Sequence, residues 1–428
     1  MNKPVFVISS PFDTYSGYGA RARDVIKAII ELDKYDVKLL SQRWGNCAFG
    51  FCEDNPEWEY LLENIIEMPL KTQPDIWMQI TIPNEFQAIG KYNIGVTAGI
   101  ESTLCKPEWI DGINKMNTTW VSSTHAKTVF ENSKFTQNDK QGNPVREIKL
   151  AKPVEVVFEG ANLDIYKPLQ KSEIKEINLD DVKESFCYLF VGHWMQGEFG
   201  HDRKNVSLLV KAFYETFKNH KGSKPALILK ASTGVNSYTS RNQLLDRIKQ
   251  IKETVKSSNL PNIYLLTGEF SDQAMNELYN HSKVKAMVSL TKGEGFGRPL
   301  LEFSLTGKPI IASNWSGHTD FLKSNMSIMI GGRLENVHKS AANNWLIPES
   351  QWFKPNDSEI GKTFKNVYKK YKQYIVQAKQ QKNFSKSKFS FEQMKNVIDQ
   401  ELSKLPDFPS QLTLKMPNLG KTQLPTLQ

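Results

Sequence analysis

The chain has 428 residues, 39% hydrophobic and 24% charged, a balance that describes a folded globular protein and excludes a disordered one. This length exceeds what one growing core sustains, so two domains are expected, and no apolar run approaches a bilayer span. The formal net charge of +9 suits anionic partners such as nucleotide-sugars, nucleic acid or acidic lipid surfaces.

The segment Val5–Ile8 reads as a first buried strand rather than the apolar stretch of a signal peptide. Cys47, Cys52, Cys105 and Cys187 lack the spacing of a zinc site or a secreted disulfide framework. A cytoplasmic protein without a metal centre is therefore expected. Short apolar runs then alternate with amphipathic stretches, the pattern of βαβ units around a parallel sheet. Strands are predicted at 5–9, 37–40, 76–80, 92–97, 119–121 and 154–158, and a helix at 21–32. Polar, Lys-rich 137–152 reads as a surface loop, and polar 170–183 as a linker.

A second α/β series begins near Phe186. Strands are predicted at 187–192, 226–229, 263–266, 284–289 and 309–312, alternating with helices at 205–217, 241–256, 273–280 and 299–306. The fold class is thus α/β, with two Rossmann-like doubly wound domains. Their expected limits are 1–170 and 184–385, followed by a helix over 386–405 packing back on the first domain. A Pro-containing tail, 406–428, completes the chain. Nine lysines between Lys362 and Lys388 read as a solvated helix face, with nucleic acid as the sharper alternative.

The chemistry concentrates in Lys292-Gly293-Glu294-Gly295-Phe296-Gly297-Arg298-Pro299-Leu300-Leu301-Glu302. A buried strand feeds a glycine-rich turn, and Pro299 suits the start of the next helix. Such a turn aims backbone N–H groups at an anion, and Gly295 and Gly297 permit close approach of a phosphate. Glu302, one turn into the helix, is placed to accept two ribose hydroxyls. The bland alternative is a tight turn with two solvated glutamates.

Glu294 through Glu302 resembles the glutamate, seven residues, glutamate motif of glycosyltransferase family 4, retaining enzymes of the GT-B fold. Flanking segments resemble the family as well: 301–313, Phe190-Val191-Gly192 with Arg203-Lys204-Asn205-Val206, Thr267-Gly268-Glu269, and 159–168. The resemblance implies that Lys204 pairs with the donor diphosphate and that Phe296, Gly297 and Arg298 contribute backbone donors. It places Glu294 at the donor sugar and Glu302 at the ribose. Where the family carries an arginine after the glycine matched by Gly192, this chain has His193; Arg203 or a protonated His193 would replace it.

In the first domain Ser16-Gly17-Tyr18-Gly19 resembles the family's glycine-rich loop, with Tyr18 inserted between Gly17 and Gly19. Ile100-Glu101-Ser102 resembles a branch with a glutamate near the acceptor, so Glu101 joins Glu294 as a catalytic candidate. Ser123 is expected to cap a helix, and His125 to be structural. The implied reaction moves a sugar from a UDP- or GDP-linked donor to a hydroxyl of a glycan, a lipid-linked acceptor or modified DNA, with no cofactor or metal. Peripheral membrane contact is also allowed. The alternatives are a nucleotide-sugar epimerase and a non-catalytic nucleotide-sugar-binding protein of the same fold.

Overall fold

The computed structural model describes residues 3–408. The first domain is a six-stranded sheet of β1 (Val5–Ser10), β2 (Asp36–Ser41), β3 (Ile76–Ile80), β4 (Tyr92–Thr97), β5 (Thr118–Val121) and, later in the chain, β8 (Val154–Val156). The strands run in the order β2-β1-β3-β4-β5-β8, all parallel. Helices α1 (Gly17–Glu31), α2 (Phe51–Asp54), α3 (Pro107–Lys115) and α4 (Thr124–Asn132) occupy the connections. Every residue of β3, Ile-Trp-Met-Gln-Ile, is buried, as a strand covered on both faces must be.

The second sheet holds β9 (Cys187–His193), β10 (Ala226–Ser232), β11 (Ile263–Leu266), β12 (Val284–Ser289), β13 (Ile310–Ser313) and β14 (Ile328–Ile330). Its order is β11-β10-β9-β12-β13-β14, again all parallel. Helices α5 (Val206–Phe217), α6 (Tyr238–Glu253), α7 (Asp272–Asn280) and α8 (Arg298–Ser304) connect these strands. Strand order reverses between β9 and β12, the kind of switch point where doubly wound sheets bind ligands. The sequence thus predicts all six strands of the first sheet and five of the second; the short edge strand β14 was not predicted. Among the described residues no helix is long and apolar enough to cross a membrane.

Three segments depart from, or go beyond, the sequence reading. The expected loop over 137–152 holds an antiparallel hairpin, β6 (Phe135–Asn138) with β7 (Pro144–Ile148). Its turn is closed by Asp139, whose carboxylate accepts from the N–H groups of Gln141 and Asn143. Because the hairpin is almost wholly exposed, no apolar alternation marked it. Near the other end of the chain, α9 (Asp357–Lys369), α10 (Tyr371–Lys388) and α11 (Phe391–Leu402) follow one another, so the expected boundary at 386 falls inside α10. Met394, Ile398 and Leu402 of α11 enter the first domain's core beside Phe6, Val25 and Ile29. The tail beyond 408 lies outside the described residues.

The third segment is a hairpin of β15 (Gly332–Asn336) and β16 (Gln351–Pro355), which leaves the second domain and docks on the first. Val337, Ala341, Leu346 and Trp352 join one buried cluster with Trp109, Ile110, Ile113 and Phe130. The Thr103 N–H donates to Gln351 O at 2.8 Å, and Gln351 N–H donates back to Thr103 Oγ1 at 2.8 Å. This strap ties the two domains along one side. Trp352 is fully buried, so Trp352→Ala should destabilise the protein by about 3–5 kcal/mol through lost burial and a cavity. Urea unfolding checks this; a loss under about 1 kcal/mol would mean the strap only rests on the surface.

Candidate active site

The loop after β12 carries the glycine-rich turn to the domain junction. A β-carbon on Gly293 would overlap the Glu101 carbonyl oxygen, and one on Gly295 would lie 2.8 Å from the Ala98 carbonyl oxygen. These two glycines therefore let two backbones from different domains touch. That role was not foreseen, since the sequence reading assigned Gly295 to phosphate approach. Gly297 does a different job: it caps α8 at φ +96°, a left-handed conformation that glycine adopts without steric cost. Pro299 follows as the second helical residue, one later than expected.

Glu294 is buried, its Oε1 and Oε2 each 2.6 Å from Lys204 Nζ, with Arg203 Nη1 3.6 Å away. Burial alone pushes this carboxyl up, but Lys204 and then Arg203 outweigh it and hold the pKa at about 2. Burial in turn lowers Lys204, which Glu294 counters. Arg203 also lies 3.1 Å from Glu101 Oε1 and donates to Gly293 O at 3.0 Å. One guanidinium thus joins both candidate catalytic carboxylates across the two domains. Arg203 and Lys204 are set just before the start of α5, where the Asp202 carboxylate accepts from Val206 N–H at 2.7 Å.

His193 ends β9, its Nδ1 2.7 Å from Ser232 Oγ. Burial of the ring lowers its pKa to about 4, helped by Lys204, Arg203 and Lys230. Because the residue is itself exposed at the end of β9, the three cations are the firmer cause. The shift favours a neutral ring in the free protein, and an anion joining the three cations would favour the protonated form. Lys230, at the carboxyl end of β10, donates to Gly268 O at 2.7 Å and was missed in the sequence. Its place in an otherwise apolar Ala-Leu-Ile-Leu-Lys strand was the available signal, because strand ends at that edge face ligands.

Glu302 is buried and already bonded. It accepts from Tyr279 Oη at 3.1 Å and Arg298 Nε at 2.9 Å, while Arg298 Nη1 reaches Asp24 of α1 at 2.5 Å. Burial raises Glu302 toward about 7 against the pull of Arg298, which is held protonated by Asp24 and Glu302. The side chain of Arg298 thus makes a second bridge between domains, beyond the backbone role expected of it. Phe296 is a core residue, packed on Phe321 at 5.0 Å between ring centres.

In the first domain Ser16 caps α1, so Gly17 and Gly19 lie in its first turn. Gly17 faces open space, whereas a β-carbon on Gly19 would overlap Thr14 O. The inserted Tyr18 stacks on Trp44 at 3.9 Å, accepts from Ala98 N–H at 3.1 Å and bonds Thr97 Oγ1 at 3.0 Å. It thereby fixes the loop that meets Gly295. Ser123 caps α4 through Ala126 N–H at 3.2 Å. His125 packs its edge on Trp315 at 4.7 Å, and burial lowers its pKa to about 4. On the other side of Arg203 a cavity of about 600 Å³ is lined by Trp194, Thr233, Arg247 and residues 341–346 of the strap. Among the described residues no group of three or more His, Cys, Asp or Glu is placed to hold a metal ion.

Residues 195–334 match the model of the family "Glycosyl transferases group 1", a stretch that contains Lys204, Glu294 and Glu302. Solved structures match nearly the whole chain. A glycosyltransferase from Rickettsia africae is 14% identical at TM-score 0.63, over 95% of this chain and 100% of that one. HepE from Anabaena in complex with UDP and glucose is 13% identical at TM-score 0.61, over 94% and 100%. Sucrose-phosphate synthase from Thermosynechococcus elongatus is 11% identical at TM-score 0.62, over 94% and 98%. The chain has the GT-B fold, and its second domain is similar to the group 1 glycosyl transferases over the matched stretch. No curated protein sequence matches it significantly. In this GT-B chain the family match begins two residues after β9 and ends within β15, so it covers one wall of the junction.

The electrostatics make a direct prediction. In the free protein the His193 ring should titrate near pH 4 by NMR. Adding UDP should raise that midpoint, because a diphosphate offsets the repulsion from Lys204, Arg203 and Lys230. A midpoint near 6.5 that UDP leaves unmoved would remove His193 from the cationic site.

Proposed function

We propose that this chain is a retaining glycosyltransferase that moves a sugar from a nucleoside-diphosphate sugar to a hydroxyl acceptor. The observation that carries the reading is the buried Lys204–Glu294 pair beside Arg203, at the glycine-rich turn and the switch point of the second sheet. An anionic diphosphate entering here meets Lys204, Arg203 and Lys230. It competes with Glu294 for Lys204 and so turns the carboxylate toward the donor sugar. That HepE was crystallised with UDP-glucose supports the same class of donor.

In the reaction the bond between the anomeric carbon and the diphosphate oxygen breaks, its electron pair leaving with the diphosphate. The acceptor oxygen bonds to that carbon on the same face, and its proton passes to the departing diphosphate oxygen. Negative charge grows on the leaving group, and Lys204 and Arg203 are fixed cations where it grows, so they act more strongly on the transition state than on the bound donor. Glu302 would exchange its Tyr279 and Arg298 hydrogen bonds for ribose hydroxyls. Glu101, tied to Glu294 through Arg203, is the first-domain carboxylate that would meet the acceptor. The cavity beyond Arg203, with Trp194 and amide side chains in its wall, suits a polyhydroxylated acceptor.

The test is release of nucleoside diphosphate from UDP- and GDP-sugars, with the product's anomeric configuration read by NMR. Lys204→Ala should lower kcat by about 100-fold or more, the scale of losing one transition-state charge contact. Glu294→Gln should chiefly slow turnover, and Glu302→Ala should chiefly raise KM for the donor. If neither donor class binds or releases its diphosphate, the reading fails. An epimerised donor sugar would point to an epimerase instead.

A further inference from the structure

Residues 360–391 contain nine lysines and neither an acidic residue nor an arginine. Without those nine, the chain has 46 Lys and Arg against 46 Asp and Glu, so its whole formal excess of +9 resides in this one stretch. Such a concentration is not an average property of the surface. It is a local field. Among the described residues none of the nine ammonium groups pairs with a carboxylate or donates a hydrogen bond, although fourteen other lysines form ion pairs. All but Lys382 are exposed.

Helix α10 arranges part of this charge in a line. Helix α10 buries Ala378, Gln381 and Ser385. Gln381 donates to Phe321 O at 2.7 Å, and Ser304 Oγ donates to Ser385 Oγ at 2.8 Å, so the helix is a fixed platform. The opposite, outermost ridge carries Lys372, Val376, Lys379, Asn383 and Lys386, spaced four and three residues apart as one helical face requires. Lys365 and Lys369 of α9 precede it. From Lys372 to Lys386 the ridge runs over about 21 Å of α10. Lys285, 6.0 Å from the Tyr371 ring centre, and Lys323, 5.6 Å from that of Phe384, flank it.

We infer that the α9–α10 ridge is a docking surface for the phosphate backbone of a nucleic acid, bound without regard to sequence. A row of unpaired ammonium groups complements a linear polyanion, and release of its condensed counterions drives binding. Exposed Gln373, Gln377, Gln380 and Asn383 place hydrogen-bond donors between the charges. Lysine without arginine supplies point charges and no bidentate fork for guanine, which is backbone contact rather than base readout. An anionic membrane fits less well. An interfacial helix needs an apolar face for the lipid, and the inner face of α10 is covered by protein, with Val376 the one large apolar side chain exposed on it.

The surface is separate from the reaction site. Lys379 and Lys382 pack against Gly307, just past the C-terminal end of α8, whereas Arg298 at the start of that helix bridges to Asp24. The ridge therefore holds the protein on a polymer and does not deliver the acceptor into the junction. It stands whether or not the proposed donor chemistry does.

Fluorescence anisotropy with a labelled 20-base-pair duplex of arbitrary sequence tests this on the full chain. If four phosphates are neutralised, affinity should fall by about 100-fold between 50 and 200 mM salt. The exposed triple change Lys372→Glu, Lys379→Glu, Lys386→Glu should weaken binding at least 10-fold, and the same three positions changed to Arg should retain it. The thermal midpoint and UDP binding should be unchanged in both. Absence of duplex binding at 50 mM salt, or binding indifferent to the triple Glu change, overturns the inference. So does capture by phosphatidylcholine vesicles containing 30% phosphatidylserine without duplex binding, which would reassign the ridge to lipid.

Discussion

A carboxylate with no solvent around it must find compensating charge or lose its own, and Glu294 meets that demand with Lys204 and Arg203. Much of the junction follows from this one constraint. Lys204 and Arg203 must sit at the start of α5, so Asp202 is fixed as its cap. The Glu101 backbone must pack on Gly293 to bring its carboxylate to Arg203, so Gly293 can carry no side chain. The result is a cluster of two cations and two carboxylates with no net charge. A dianionic ligand entering such a cluster does not have to form its cations; it has to replace an anion already there.

The same junction explains why the domains hold together by polar bridges as well as by packing. Arg203 with Glu101 and Arg298 with Asp24 cross the interface on the site side. Trp352 and its neighbours close a third contact through the strap, and α11 returns the chain to the first domain's core. Ion pairs of this kind exchange readily with an incoming anion, whereas the buried aromatic strap does not. Opening of the junction is thereby expected to pivot about the strap rather than about the linker alone.

Much of this was legible in the sequence. Continuous apolar runs such as Ile-Trp-Met-Gln-Ile and Val-Lys-Ala-Met-Val-Ser announced central parallel strands, because burial on both faces leaves no alternation to misread. The 292–302 segment announced its turn through Gly297 and Pro299. What could not be read was anything dependent on a distant partner. Trp352 looks like one aromatic in a polar stretch until Trp109 and Phe130 are brought to it. Asp24 looks like a solvated helix residue until Arg298 arrives from 274 positions away. Gly295 read correctly as a glycine that needs room, yet the group that takes the room is a carbonyl of the other domain.

The central claim is that Lys204 and Arg203 form a diphosphate site which Glu294 occupies in the ligand's absence. A crystal structure with UDP tests it most directly. The account predicts the β-phosphate within hydrogen-bond distance of Lys204 Nζ, with the Lys204–Glu294 pair opened from its present 2.6 Å. UDP bound elsewhere, with Lys204 still holding both oxygens of Glu294, would contradict it.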